Sequence, residues 1–259
     1  MAWEIHIDAV DLAPRPVIAI GNNYPDGHRV KPHHHRRGQL ISSAAGVIVL
    51  STAEGTWVMP PHRGMWIPPA TQHRVQMVGA VSVQSLYIEP HTIPGLPSHC
   101  QVVGISPFMR SLITEALDVP LEYELEGRAG ALMQLIQHEM QRLPALPLSL
   151  RYPAQGPLSA LCRQFVQEPN VHETIDAWAD ALGTSRRSFT RLFRRETGMS
   201  FVAWRQQACL LCAMPRLSAG ETVTSVAIDL GYENPAAFTL MFRRAFGNPP
   251  LAYLGLRKS

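Results

Sequence analysis

The sequence predicts an α+β protein of two domains: an N-terminal β-barrel or sandwich followed by two helices, then an all-α domain holding two helix-turn-helix units. Three observations lead there. Residues 174–253 contain one pattern of roughly fifty residues twice over, and a repeat of that period is an architectural signal. Residues 17–90 consist of short apolar runs cut by glycine and proline turns, the mark of many short strands. The length of 259 residues exceeds what the repeat needs and suits two domains of ordinary size.

Composition narrows the function classes. A hydrophobic content of 46% is ample for two cores. No run of eighteen apolar residues occurs, and residues 1–10 alternate without a basic segment, so neither a membrane span nor a secretory signal is expected, and the expected location is cytoplasmic. Residues 1–157 hold 11 Lys and Arg against 12 Asp and Glu, net −1, whereas 158–259 hold 12 against 8, net +4. A nucleic-acid partner therefore belongs to the C-terminal half.

Strands are expected at 17–20, 47–50, 56–59 and 81–88. Among them lie Gly27, His33, His35, Gln39 and Gly46, then Pro68, Ala70 and His73. His33 and His35 stand two apart, so on one strand both face the same side while His34 faces the other. With His73 they supply three imidazoles, a set that suits zinc, nickel, iron or copper. Gln39 is a poorer fourth ligand because it is neutral. A second reading is that these histidines hydrogen-bond inside a metal-free barrel that takes an organic effector. Trp57, Trp66 and Tyr87 are candidate walls of an effector pocket, and equally candidates for plain core. Arg36 and Arg37 are expected on a solvated strand edge, with an acidic effector as the other reading. His62 is expected in a loop. The spacings resemble the two cupin motifs, with Gln39 where the first has glutamate and Ala70 where the second has glycine.

After the barrel, Ser106-Pro107 opens a helix with a stripe of Phe108, Met109, Leu112, Ile113, Ala116 and Leu117. A second stripe runs through Leu132, Leu135, Ile136, Met140 and Leu143. The pair is expected to pack on the barrel or against a second subunit. Four prolines and no helical period make 144–157 an expected linker, and Leu158, Leu161, Cys162 and Phe165 resume a helix. The four cysteines do not form a disulfide framework; Cys209 and Cys212 lie one turn apart on an expected helix, as packing residues.

The two copies match closely. Ile175, Trp178, Ala179 and Leu182 answer to Val223, Val226, Ala227 and Leu230 at helical spacing, and Gly183 and Gly231 end those helices. Ser185 and Asn234 are the N-cap candidates of the second helices, Asn234 with Pro235 at the first helical position. Their apolar faces carry Phe189, Leu192 and Phe193, then Phe238, Met241, Phe242 and Phe246. Arg186, Arg187, Arg191, Arg194 and Arg195 occupy the other face of the first, and Arg243 and Arg244 that of the second. Such a helix fits the major groove of double-stranded DNA, where the guanidinium fork matches phosphates and guanine edges.

From these residues the C-terminal hundred resemble the DNA-binding domain of AraC/XylS-type transcription regulators, and 66–69, Trp-Ile-Pro-Pro, resembles the sensor domain of one subgroup. The resemblance implies base-reading positions at Arg187, Thr190 and Arg191, and at Pro235, Ala236, Thr239 and Leu240. It implies a homodimer through the helical pair, contact with RNA polymerase if the chain activates, and one continuous helix over 201–217, which Pro215 is expected to kink. The expected domains are a cupin-like effector barrel, 1–100; a helical pair, 101–143; the linker, 144–157; and the DNA-binding domain, 158–259. The alternative function is a metal-dependent cupin oxygenase or isomerase fused to a DNA-binding module. The missing glutamate and the lack of a catalytically spaced acid or base weigh against it.

Overall fold

The computed structural model describes residues 7–153 and 155–256. Residues 1–6 of the expected barrel, Ala154 of the expected linker and 257–259 of the DNA-binding domain lie outside the described residues. The chain divides into two compact units, one of Met1–Thr52 and Met59–Ser149, the other of Ala53–Val58 and Leu150–Ser259.

Helix α1 (Ile7–Leu12) leads into β1 (Val17–Tyr24), β2 (Arg29–His33), β3 (Gly38–Ser43), β4 (Val47–Ser51), β5 (Gly55–Met59), β6 (Arg63–Ile67), β7 (His73–Val78), β8 (Val81–Ile88) and β9 (Gln101–Gly104). Then come α2 (Pro107–Ala116), α3 (Arg128–Met140), β10 (Ala145–Leu146) and β11 (Ser149–Arg151). In the first unit one antiparallel sheet has the order β1-β8-β3-β6-β9-β10, and a second runs β4-β7-β2.

Strand β3 is buried at every position, as a strand covered on both faces must be. Its Leu40 lies opposite Trp66 and Leu86. These three join a core with Met109, Leu112, Ile113 and Ala116 of α2 and Met133, Ile136 and Met140 of α3. Each such side chain contributes roughly 1.5–3 kcal/mol on burial. The two helices therefore use their apolar stripes against their own sheet, while Phe108 and Leu135, read as stripe members, stay exposed. Gln39 and Tyr87 pair across the same ladder, one residue over, and so point to the opposite face.

The stretch 144–157 is more regular than a linker. Strand β10 pairs with β9, and Leu148, Leu150 and Tyr152 are buried at period two, a pattern the four prolines obscure in the sequence. In the second unit the Tyr152 amide donates to the Glu54 carbonyl at 2.9 Å, and the Thr56 and Tyr152 hydroxyls meet at 2.9 Å.

The remainder of that unit is helical: α4 (Pro157–Gln167), α5 (Ile175–Ala181), α6 (Arg186–Thr197), α7 (Phe201–Ser218), α8 (Val223–Asp229), α9 (Pro235–Phe246) and α10 (Pro250–Tyr253). Trp178 gathers Phe165, Phe189, Phe193, Phe201 and Trp204 at ring separations of 4.8 to 6.4 Å. Phe238, Phe242, Phe246 and Tyr253 form the matching cluster of the second copy. Helix α7 is continuous from Phe201 to Ser218, with Pro215 inside it. The proline sits near the C-terminal end, where buried Leu211, Met214 and Leu217 hold the helix by packing and Ala219 still donates to the Pro215 carbonyl at 2.9 Å. Burial pushes the Cys162 and Cys212 thiols up to about 12 and raises that of Cys209, which leaves all three inert at neutral pH.

Candidate effector and nucleic-acid sites

Three histidines converge in the first unit. His33, at the end of β2, lies directly across the ladder from His73, the first residue of β7. His35 lies just past β2 rather than on it, so the turn toward β3 delivers it, and the shared-strand alternation does not. Ring centroids of His33 and His73 are 4.3 Å apart, those of His35 and His73 5.2 Å. One potential ligand atom from each of the three lies within 4.8 Å of the other two. Ala70, where the motif has glycine, takes φ 58°, the left-handed conformation that glycine adopts cheaply.

Hydrogen bonds set the tautomers. The Nδ1 atoms of His33, His35 and His73 face the carbonyls of Lys31, Arg37 and Thr71 at 2.8, 2.5 and 2.8 Å. A carbonyl only accepts, so Nδ1 carries the hydrogen and Nε2 keeps its lone pair, the arrangement of metal-ligating imidazoles. Burial favours the neutral ring, lowering the His35 pKa and bringing that of His73 down to about 4. Gln39 completes the group. Its amide nitrogen donates to the Ser85 and Tyr87 hydroxyls at 2.9 and 3.1 Å, which turns its Oε1 toward His35 Nε2 at 3.1 Å. Two acceptors then face each other across a buried gap, and a cation between them would satisfy both. Tyr87 packs edge-on to His35, and burial pushes its hydroxyl up to about 12.

The other expected wall residues are elsewhere. Trp66 sits on the opposite face of the sheet from Gln39, in the helix-covered core, with its Nε1 donating to the Pro97 carbonyl at 2.8 Å. Trp57 is buried on β5, in the stretch grouped with the second unit. His62 is an exposed turn residue. Arg37 is structural rather than solvated, whereas Arg36 is exposed as expected. Arg37, only 1% exposed, donates to the Ala13 and Arg15 carbonyls at 2.6 and 2.8 Å and pairs with Glu89 at 3.0 Å. Arg36 also pairs with Glu89. Nothing in residue type distinguishes such an anchor from a surface arginine; its place in the bend just before β3 does.

In the second unit each helix-turn-helix begins as the caps foretell. Thr174, Ser185, Thr222 and Asn234 accept from the amides of Ala177, Ser188, Ser225 and Ala237 at 2.8 to 3.2 Å. Phe189 and Phe193 turn inward from α6, as Phe238 and Phe242 do from α9, which leaves the opposite faces open. Arg186 is drawn to Asp176 of α5 at 2.7 Å, and Arg195 to Glu196 at 2.8 Å. Among the described residues Arg187, Arg191, Arg194, Arg243 and Arg244 are exposed and enter no ion pair. The Thr190 hydroxyl donates to the Arg186 carbonyl at 2.8 Å. On α9, Ala236 and Leu240 are exposed and Pro235 and Thr239 half-buried, a face poor in donors.

Comparison with known proteins agrees with this division. A helix-turn-helix domain family matches residues 178–255, and the AraC-like ligand binding domain family matches residues 15–136. The HTH-type transcriptional regulator NimR of Escherichia coli (strain K12) is 32% identical over 222 residues, 86% of this chain and 81% of that protein. RipA of Corynebacterium glutamicum, also an HTH-type transcriptional regulator, is 29% identical over 112 residues, 43% of this chain and 33% of that protein. The crystal structure of ToxT from Vibrio cholerae with bound unsaturated fatty acid covers 94% of this chain and 98% of its own at 11% identity, with a TM-score of 0.39. No helix among the described residues is long and apolar enough to cross a membrane. With 86% of its length matched to such a regulator, an AraC-like ligand-binding domain in front and a DNA-binding repeat behind, the chain belongs to the AraC-type family of helix-turn-helix transcription regulators.

Proposed function

We propose that this regulator reads DNA through Arg187, Thr190 and Arg191 of α6 and through Pro235, Ala236, Thr239 and Leu240 of α9. Arg194, Arg243 and Arg244 supply phosphate grip, and α9 adds apolar contact with thymine methyls more than hydrogen-bonded readout. The regulated input enters at the three histidines. His33, His35 and His73 hold one transition metal ion, with Gln39 as an additional oxygen donor. The observation that carries this is the set of three Nδ1–carbonyl contacts, which leaves the three Nε2 lone pairs free, on histidines that each bring a ligand atom within 4.8 Å of the other two. A metal bound there would supply a positive charge shared by β2, β7 and the turn that carries His35, and its binding would bias the arrangement that favours or disfavours DNA.

One observation favours a metal-free reading. With its amide turned over, Gln39 donates to His35 Nε2 and accepts from both the Ser85 and Tyr87 hydroxyls, which satisfies every group without a cation. The pocket then takes an organic effector. Elemental analysis of protein purified without a histidine tag separates the two. Near one equivalent of metal per chain, lost in His33→Ala and in His73→Ala, supports the metal; none in wild type directs the search to organic molecules. Neither reading needs catalysis, and the chain acts as a regulator rather than as a cupin enzyme, in the cytoplasm where its operator lies. Homodimerisation, with RNA polymerase contact if it activates, completes the proposal. Sedimentation showing only monomer at micromolar concentration with and without DNA would remove the dimer.

A further inference from the structure

The two helix-turn-helix units are bridged at a second place besides α7. The loop after α4 reaches across to the end of α8, where the Val171 amide donates to the Leu230 carbonyl at 2.9 Å. Asn170 shapes that loop by accepting from the His172 amide at 2.8 Å. Glu173 ties the same loop to the first helix-turn-helix, accepting from Trp178 Nε1 at 3.1 Å, and its carbonyl accepts from Arg205 of α7. On the far side Gly231 lies against the loop so closely that a Cβ there would stand 2.7 Å from Asn170 Oδ1 and 2.9 Å from His172. Gly183, the counterpart in the first copy, has a similar positive φ of 59° but nothing within 4 Å of a built Cβ. The repeat thus explains a glycine at both positions by backbone conformation, and only at Gly231 by a neighbour as well. A second clamp takes hold of both ends of α8, at Glu221 just before it and Asp229 at its last residue. Arg216 of α7 takes Glu221 in a two-pronged contact, 2.9 and 2.6 Å, and Asp229 at 2.5 Å.

We infer that the 170–173 loop against Leu230 and Gly231, together with the Arg216 clamp, fixes the distance and angle between the two recognition helices, so that half-site spacing becomes part of what this regulator recognises. Gly231 and Arg216 are positioning residues that touch no base. A rigid pair of helices accepts one spacing, because each added base pair moves the second half-site by about 3.4 Å and turns it by roughly 35°. A pair hinged only on α7 would follow the change. The inference rests on both helices contacting DNA.

The test takes a duplex enriched by the full chain from a random-sequence library, then inserts or removes one and two base pairs between the two protected segments. Wild type should lose at least tenfold in affinity at each change. Arg216→Ala and Gly231→Ala should lose affinity at the native spacing and flatten or shift the profile, whereas Gly183→Ala, which carries the same backbone strain without the neighbour, should keep the wild-type profile. Arg216 is partly exposed, so its variant reads out even where Gly231→Ala fails to fold. A flat wild-type profile, or Arg216→Ala weaker by one common factor at every spacing, overturns the inference while leaving DNA binding intact. Failure to enrich any duplex overturns the DNA-reading assignment and this inference with it.

Discussion

Replacing Arg191 with alanine removes a side chain that is exposed on α6 and, among the described residues, enters no ion pair. Its loss should leave the free protein nearly as stable as before, within about 0.5 kcal/mol, because surface substitutions away from caps and networks rarely cost more. In the complex, a guanidinium placed bidentate on a guanine edge contributes about 1 to 3 kcal/mol of discrimination, which is roughly a 5- to 150-fold loss on the preferred duplex. The loss on duplexes altered at the contacted base should be small, since there the interaction is already missing. Arg194→Ala serves as the comparison. A phosphate contact weakens all sequences alike and lowers the slope of log affinity against log salt by about 0.9. Fluorescence anisotropy on a selected duplex and its single-base variants, from 50 to 200 mM salt, separates the two patterns. Arg191→Ala binding as tightly and as selectively as wild type would show that the reading face of α6 is misassigned.

Other outcomes follow from the packing and protonation of buried groups. Trp178→Ala opens the aromatic cluster shared by α4, α5, α6 and α7, and should destabilise the second unit by about 3 to 5 kcal/mol, seen as a lowered melting transition and lost DNA binding. An unchanged melting curve would contradict the packing described. Burial holds His73 at about 4 against an ordinary 6.5, so between those values the unfolded chain binds more protons than the folded one. Stability of chelator-treated protein should therefore be complete above pH 6.5 and fall by about 1.4 kcal/mol per unit toward pH 4. Urea midpoints at pH 7 and 5 measure this, and His73→Phe should lose part of the dependence; equal slopes in both proteins would show that His73 is not buried neutral. With burial raising all three thiols, Cys162, Cys209 and Cys212 should resist alkylation at pH 8 until the protein is unfolded, whereas rapid labelling of the native chain would place them at the surface.

Legibility in the sequence differed between the two units for a physical reason. A helix carries its information locally: the caps at Thr174, Ser185, Thr222 and Asn234, the glycines at 183 and 231, and the apolar stripes each lie within one or two turns, so the repeat could be read residue by residue. A sheet carries its information in register, which no single strand reveals. His33 and His73 were legible as a pair by motif spacing, but the face that Trp66 takes depends on its pairing with Leu40. Arg37 looked like surface and is an anchor because, from the bend before β3, it reaches the distant Ala13 and Arg15 carbonyls. The strands β10 and β11 are each too short to show alternation, and prolines flank them. The contact of the 170–173 loop with Gly231 joins residues sixty apart and left no local signal.

That the histidine site governs DNA binding is tested most directly by the affinity of one untagged preparation for its selected duplex, measured metal-free and again after reloading with one equivalent of zinc. The expected result is a change of roughly 5- to 150-fold, the usual range of coupling between two sites, that disappears in His73→Ala. Identical affinity in the two states, with the metal demonstrably bound, would contradict the role assigned to His33, His35 and His73.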